Sequence, residues 1–196
     1  MPHEINLKLL HVTWDDLQEL TESLAGKIMN DEFKPDIIVA VSRGGFDPAR
    51  ILCDQLDVRR LASLQVEYYK GINEVNKEPQ ILYPLNAGVQ GLRVLLVDDV
   101  SDSGTSLKAA LEHIQAQGAE DLKIATVHIK PWTTFIPDYY SENVDRWIVY
   151  PWEPIESMNS MANKLLSMNI PEEDIPKTLL DLGFSKKYLC RLTLRK

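Results

Sequence analysis

Three carboxylates, Asp98, Asp99 and Asp102, fall within five positions, and Ser101, Ser103, Gly104, Thr105 and Ser106 are interleaved with them or follow directly. The hydroxyls and the glycine suit an anion, because hydroxyls donate and Gly104 lets backbone approach a ligand closely. The acids would repel the same anion. They must serve it otherwise, by holding Mg²⁺, by holding sugar hydroxyls, or by handling a proton. A helix cap needs one such side chain, not three. A second group, Ser42-Arg43-Gly44-Gly45, sets flexible backbone donors beside a guanidinium that can clamp phosphate oxygens. Lys130, with Pro131 and Trp132 behind it, is a third candidate, and the aromatic stretch from Trp147 and Ile148 to Trp152 and Glu153 is a fourth.

The elements that must position these residues are legible around them. Val94 to Val97 is an unbroken apolar run, the pattern of a strand buried on both faces. Leu107 to Gln117 reads as a helix closed by Gly118. The acids and hydroxyls therefore lie between the carboxyl end of a strand and the start of a helix, where open α/β sheets bind ligands and where helix amides favour an anion. Asp36 to Val41 is a second such strand, ending in Ser42–Gly45, with a helix from Phe46, Asp47 as N-cap and Pro48 in its first turn. Leu122 to Ile129 is a third and ends at Lys130. His128 within it reads as a core or edge residue, and His3, His11 and His113 show no metal-ligand spacing.

Leu61 to Tyr68 reads as a further strand. Tyr69 to Gly91 has no clear period and reads as a lid or a disordered loop, or as a plain hairpin in which Ile81–Leu85 is the second strand. Near the start, Thr13 is a plausible N-cap for a helix whose stripe is Leu17, Leu20, Leu24 and Ile28. Residues 154–196 read as helical. The helix–turn–helix look of Ile175–Leu189 is a weak DNA-binding signal, since few basic residues accompany it.

The chain of 196 residues is the size of one domain, and its net charge of −8 argues against a general nucleic-acid binder. No apolar run approaches membrane-spanning length, and no secretory signal is evident at Met1-Pro2-His3-Glu4. Cys53 and Cys190, far apart in sequence, suggest reduced thiols in a cytoplasmic protein.

The run Val97-Asp98-Asp99, a spacer, then Asp102-Ser103-Gly104-Thr105-Ser106 resembles the phosphoribosyl-pyrophosphate (PRPP) motif of type I phosphoribosyltransferases. It is not a Walker A loop, since no Gly-Lys-Ser/Thr follows. Together with Val12-Thr13-Trp14-Asp15-Asp16-Leu17-Gln18 it is most similar to the 6-oxopurine enzymes, especially the xanthine-guanine group, although Ser103 stands where the family usually has Thr. The resemblance implies an α/β fold with a central, mostly parallel sheet flanked by helices, a small hood and a helical C-terminal tail. Residues 1–153 would form the transferase domain with its hood. Residues 154–196 would be an extension packed on that domain or on a neighbouring subunit.

The implied activity is transfer of the 5-phosphoribosyl group from PRPP to N9 of hypoxanthine, guanine or xanthine, releasing pyrophosphate and a nucleoside monophosphate in purine salvage. By resemblance, Ser42, Arg43 and Gly44 take the pyrophosphate, with a cis peptide near Arg43–Gly44. Asp98 and Asp99 hold the ribose hydroxyls, directly or through Mg²⁺. Ser101, Ser103, Gly104, Thr105 and Ser106 grip the 5′-phosphate, and Asp102 exchanges a proton with purine N7. Lys130 donates to the 6-oxo group, Trp147 stacks on the base, and Ile148 and Glu153 meet its edge, Glu153 standing where the xanthine-guanine enzymes have Asp. A homodimer or homotetramer, without nucleic-acid or membrane partners, is implied. An adenine-specific transferase and a non-catalytic PRPP sensor are the alternatives.

Overall fold

A computed structural model of the chain describes residues 7–69 and 78–194. In chain order the elements are β1 (Leu9–His11), α1 (Trp14–Asn30), β2 (Ile37–Ser42), α2 (Phe46–Gln55), β3 (Leu61–Tyr69), β4 (Glu78–Tyr83), β5 (Arg93–Ser101), α3 (Thr105–Gln115), β6 (Asp121–Ile129), β7 (Tyr139–Asn143), β8 (Trp147–Val149), α4 (Pro154–Ser167) and α5 (Ile175–Asp181), with 3₁₀ turns at Glu172–Asp174 and Lys186–Arg191. Contacts divide the chain into two units, Leu17–Asp145 and a second made of the residues up to Asp16 with those from Arg146 onward.

The Leu17–Asp145 unit is a six-stranded sheet in the order β4-β3-β2-β5-β6-β7, parallel throughout except for the β3–β4 pair. Its central strands read as unbroken apolar runs because both faces are covered. Alternate residues of β2 and β5 go to opposite sides. Ile38, Ala40, Leu95 and Val97 pack with Leu24 and Ile28 of α1 and Leu52 of α2. Ile37, Val39, Val41, Val94 and Leu96 pack with Leu107, Ala110 and Ile114 of α3. Each of the larger side chains contributes about 1.5–3 kcal/mol on full burial. At the amino ends of these strands Asp36 accepts the Arg93 amide, Nε and a terminal guanidinium nitrogen at 2.9–3.1 Å.

The hairpin expectation holds as β3–β4. Of the expected lid, residues 70–77 lie outside the described residues. β5 and α3 are bounded differently from the sequence reading. β5 runs on through Asp98 and Asp99 to Ser101, because β6 pairs with it that far. α3 begins at Thr105 and ends at Gln115.

In the second unit β1 pairs in parallel with β8. Val149, Met158, Met161, Leu165, Ile175, Leu179 and Phe184 make its core, so α4, α5 and the segment around Phe184 share a core with β8. The expected cap of α1 is present: Thr13 and Asp16 exchange hydrogen bonds of 2.7–3.1 Å. Among the described residues no helix is long and apolar enough to cross a membrane.

Candidate active site

β2, β5 and β6 are consecutive, parallel neighbours in the sheet. Their carboxyl ends carry Ser42–Gly45, Asp98–Ser106 and Lys130 respectively. Hydrogen-bonded strands lie about 4.8 Å apart, so the three loops open within roughly 10 Å of one another. A cleft of about 360 Å³ opens there, lined by Asp98, Val100, Asp102, Ser103, Gly104, Ser106 and Leu107.

The first loop turns sharply. The Ser42–Arg43 peptide is cis, one bond earlier than expected. The N-cap of α2 is Gly45, not Asp47, which sits one turn position inside the helix. Backbone proximity demands glycine here: a Cβ on Gly45 would lie 2.3 Å from the Val97 carbonyl and 2.7 Å from that of Val41. At Gly44 a Cβ would fall 2.3 Å from a carboxylate oxygen of Asp99. The Arg43–Gly44 turn and the acid at the end of β5 are therefore in direct apposition.

Asp98 and Asp99 are partly buried at that strand end, and the Asp99 amide donates to Asp98 Oδ1 at 2.9 Å. Both carboxyls are pushed above the usual carboxylate range. Loss of solvent is the main cause for each, and the charge of Asp99 adds to it at Asp98. Two adjacent acids held this way favour anything that brings positive charge or hydroxyl donors. Among the described residues no cluster of three or more His, Cys, Asp or Glu could hold a metal alone.

The loop after β5 is gripped residue by residue from the segment that follows β6. Ser101 is 1% exposed; its hydroxyl donates to the Phe135 carbonyl at 2.8 Å and lies 2.9 Å from that of Thr133. That hydroxyl is engaged in holding the loop against the segment after β6. Asp102 Oδ1 accepts the Trp132 indole N–H at 2.7 Å. The Ser103 carbonyl accepts the Thr134 hydroxyl at 2.9 Å and its amide at 3.3 Å. Gly104 lies against Phe135, with a left-handed φ of +82°. As the N-cap of α3, Gly104 has no side-chain acceptor to give the first-turn amides. The Ser103 and Thr105 hydroxyls, 2.8 Å apart, sit at this helix start beside Ser106.

Lys130 is only 7% exposed, not the solvated lysine that its type favours. Its Nζ lies 5.5 Å from the Trp132 ring centroid. His128, two residues back, is fully buried, as expected of a core residue, and burial with the Lys130 charge holds its imidazole down to about 4. Trp147, Ile148 and Glu153 belong to the other unit. The Trp147 ring carries Lys164 Nζ at 5.3 Å, Ile148 is buried, and Glu153 is the N-cap of α4 and accepts from the Ser157 hydroxyl at 3.4 Å.

Trp132, Thr133, Thr134 and Phe135 were not among the expected site residues. Only their place just after Lys130 marks them in the sequence. A second hollow, of about 560 Å³, is lined by Lys27, Asn30, Asp31, Lys123, Asp138 and Tyr139. It lies toward the amino ends of β6 and β7, and its cations are engaged: Lys123 pairs with Asp138 at 3.2 Å and Lys27 donates to the Tyr140 carbonyl. It offers none of the strand-end chemistry.

The phosphoribosyl transferase domain family matches residues 13–156. A xanthine-guanine phosphoribosyltransferase from Gluconobacter oxydans is 32% identical over 144 residues, 72% of this chain and 83% of that protein. Another from a Ruegeria species is 30% identical over 165 residues, 78% of this chain and 88% of that protein. Among solved structures, a purine phosphoribosyltransferase from Pyrococcus horikoshii is 38% identical with a TM-score of 0.68, covering 75% of this chain and 95% of that one. With the acid-and-hydroxyl loop at a strand end and matches of this extent, the chain belongs to the phosphoribosyltransferase family.

Proposed function

We propose that this phosphoribosyltransferase moves the 5-phosphoribosyl group of PRPP to N9 of a 6-oxopurine, releasing pyrophosphate, in purine salvage. One observation carries the reading: Arg43 with Gly44, the Asp98–Ser106 loop and the buried Lys130 stand on three adjacent parallel strand ends. Two anion cradles and a cation for a base thus fit within one nucleotide's length. The names of the xanthine-guanine relatives support the choice of base.

The difficult step is cleavage of the C1′–O bond, which builds positive charge on the ribose. The Ser103–Ser106 loop and the amides at the start of α3 anchor the 5′-phosphate, and Arg43 with the Gly44 backbone takes the pyrophosphate, so the ribose is fixed between them. Asp98 and Asp99 lie beneath it, suited to the ribose hydroxyls or to Mg²⁺. Two adjacent carboxyls fit a divalent cation, since Mg²⁺ is usually held by one or two carboxylates together with substrate phosphates. When bound, the ion neutralises charge on the departing pyrophosphate. Asp102, at the mouth of the cleft, exchanges the proton at purine N7. Lys130 favours a 6-oxo over a 6-amino group, because an amino group sets donor against donor. For Trp147, Ile148 and Glu153 the proposed base contacts rest on the family resemblance. A cytoplasmic homo-oligomer is part of the same reading.

The test is pyrophosphate release from PRPP and Mg²⁺ with hypoxanthine, guanine, xanthine and adenine in turn. Release with the oxopurines and little with adenine is expected; preference for adenine, or no release with any base, overturns the reading. Asp102→Asn should lower kcat by about 10²–10⁴-fold with KM for PRPP kept.

A further inference from the structure

We propose that Trp132 is a positioning residue that orients the carboxylate of Asp102 for proton exchange with the base. The inference rests on the role given to Asp102 above. Trp132 leaves 57% of its surface exposed, so core packing does not account for it. Two polar contacts do. Its indole N–H donates to Asp102 Oδ1 at 2.7 Å, a short bond of the charge-assisted kind. Its ring lies 5.5 Å from Lys130 Nζ. One exposed side chain thus touches both the acid and the cation assigned to the base.

The indole is held where it must be. Ser101 meets Thr133 and Phe135, Ser103 meets Thr134, and Gly104 meets Phe135. Trp132 and Asp102 are the matching pair in the same sequence of contacts. An exposed aspartate on a one-carbon stem otherwise turns among its rotamers. With Oδ1 taken by the indole, those turns are restricted, and Oδ2 is left to face the base. Restricting an acid that must sit within hydrogen-bond reach of N7 raises the fraction of bound complexes that react.

The test is a double-mutant cycle with Trp132→Phe and Asp102→Asn, measured as kcat and KM with the best purine, alongside thermal denaturation of each variant. Trp132→Phe keeps an aromatic ring at the position beside Lys130 and removes the N–H donor together with one ring of the indole. It should lower kcat by roughly 10- to 100-fold while KM for PRPP stays within about twofold. In the Asp102→Asn background the same change should cost less than about twofold, because the indole then has no proton-exchanging carboxylate to orient. A wild-type kcat in Trp132→Phe, or full additivity with Asp102→Asn, overturns the proposal. A readout independent of activity is the Trp132 indole proton resonance. It should move upfield in Asp102→Ala, and a resonance that stays in place overturns the contact itself. A wild type inactive with every purine instead overturns the functional reading, and the resonance still decides the fate of the pair.

Discussion

Replacing Gly104 by alanine separates the shape of the loop from its chemistry, since no charge or hydroxyl is altered. The residue has φ +82°, where an L side chain costs about 1–2 kcal/mol. The added Cβ would lie 2.3 Å from Phe135 Cβ, 2.9 Å from its amide nitrogen and 3.1 Å from its Cα. Two of those three atoms are backbone, and the third remains in any residue but glycine, so trimming Phe135 to alanine gives no relief. Overpacking of this kind costs about 1–3 kcal/mol. The sum is roughly 2–5 kcal/mol, and it has two places to appear. If the loop stays put, the fold bears the strain, and Tm falls by about 2–4 °C per kcal/mol for a chain of this size. If the loop backs away from Phe135, the start of α3 moves and KM for PRPP rises, by about 30-fold or more at the lower bound of the cost. Gly88→Ala is the control: nothing lies within 4 Å of its Cβ, and its φ is not in the left-handed region. Calorimetry and PRPP titration of initial rates read both channels. A Gly104→Ala protein that matches Gly88→Ala in Tm and in KM for PRPP refutes the cradle as described.

Lys130→Ala should reduce the kcat/KM ratio of hypoxanthine to adenine by about 10- to 100-fold, because the buried donor proposed to reject an amino group is gone; an unchanged ratio removes Lys130 from base reading. Asp98 is held above its ordinary value of 3.8 by burial and by the charge of Asp99. The folded state therefore holds the Asp98 proton more tightly than the unfolded one, so the contribution of this group in the ligand-free protein should decline as pH rises from 3.8. Asp98→Asn should flatten that decline in urea melts taken across the pH range, and a decline of undiminished slope contradicts the assignment. Asp36 behaves oppositely: hydrogen bonds from the Arg93 side chain and amide hold it down to about 2, so its contribution is present above 3.8 and is lost as pH falls toward 2. The paired side chains are 42% and 35% exposed, and solvent screening limits the effect to about 1 kcal/mol or less, visible as a smaller acid-induced loss in Asp36→Asn than in wild type.

Much of this was legible along the chain because local signals and tertiary demands agree. Ile37–Val41 and Val94–Val97 are apolar without a break, and both faces of those strands are covered. Asp98, Asp99 and Asp102 stand where a strand feeds a helix. What escaped was set by partners distant in sequence. β5 passes through two acids because β6 pairs with it as far as Ser101–Ile129, and hydrophobicity carries no record of that pairing. Asp47 followed by Pro48 looks like a helix start. The helix begins earlier, at a glycine that alone fits under the Val41 and Val97 carbonyls. Ser101 reads as a donor for a ligand, yet its hydroxyl is taken by the Phe135 carbonyl, 34 residues on.

The wall made by Trp132–Phe135 also changes how the site should be understood. β6 ends just before Lys130, and Trp132–Phe135 turn back to hold Ser101, Asp102, Ser103 and Gly104 of the neighbouring strand's loop. Lys130 and the Ser101–Gly104 loop, proposed for base and phosphate, are therefore joined through one segment, Trp132–Phe135, into a single block. Such a block suits the proposed transfer, in which two substrates must meet at one carbon. It also makes the effects of substitutions at Asp102, Trp132 and Lys130 interdependent, so that single replacements will overstate what each group contributes alone.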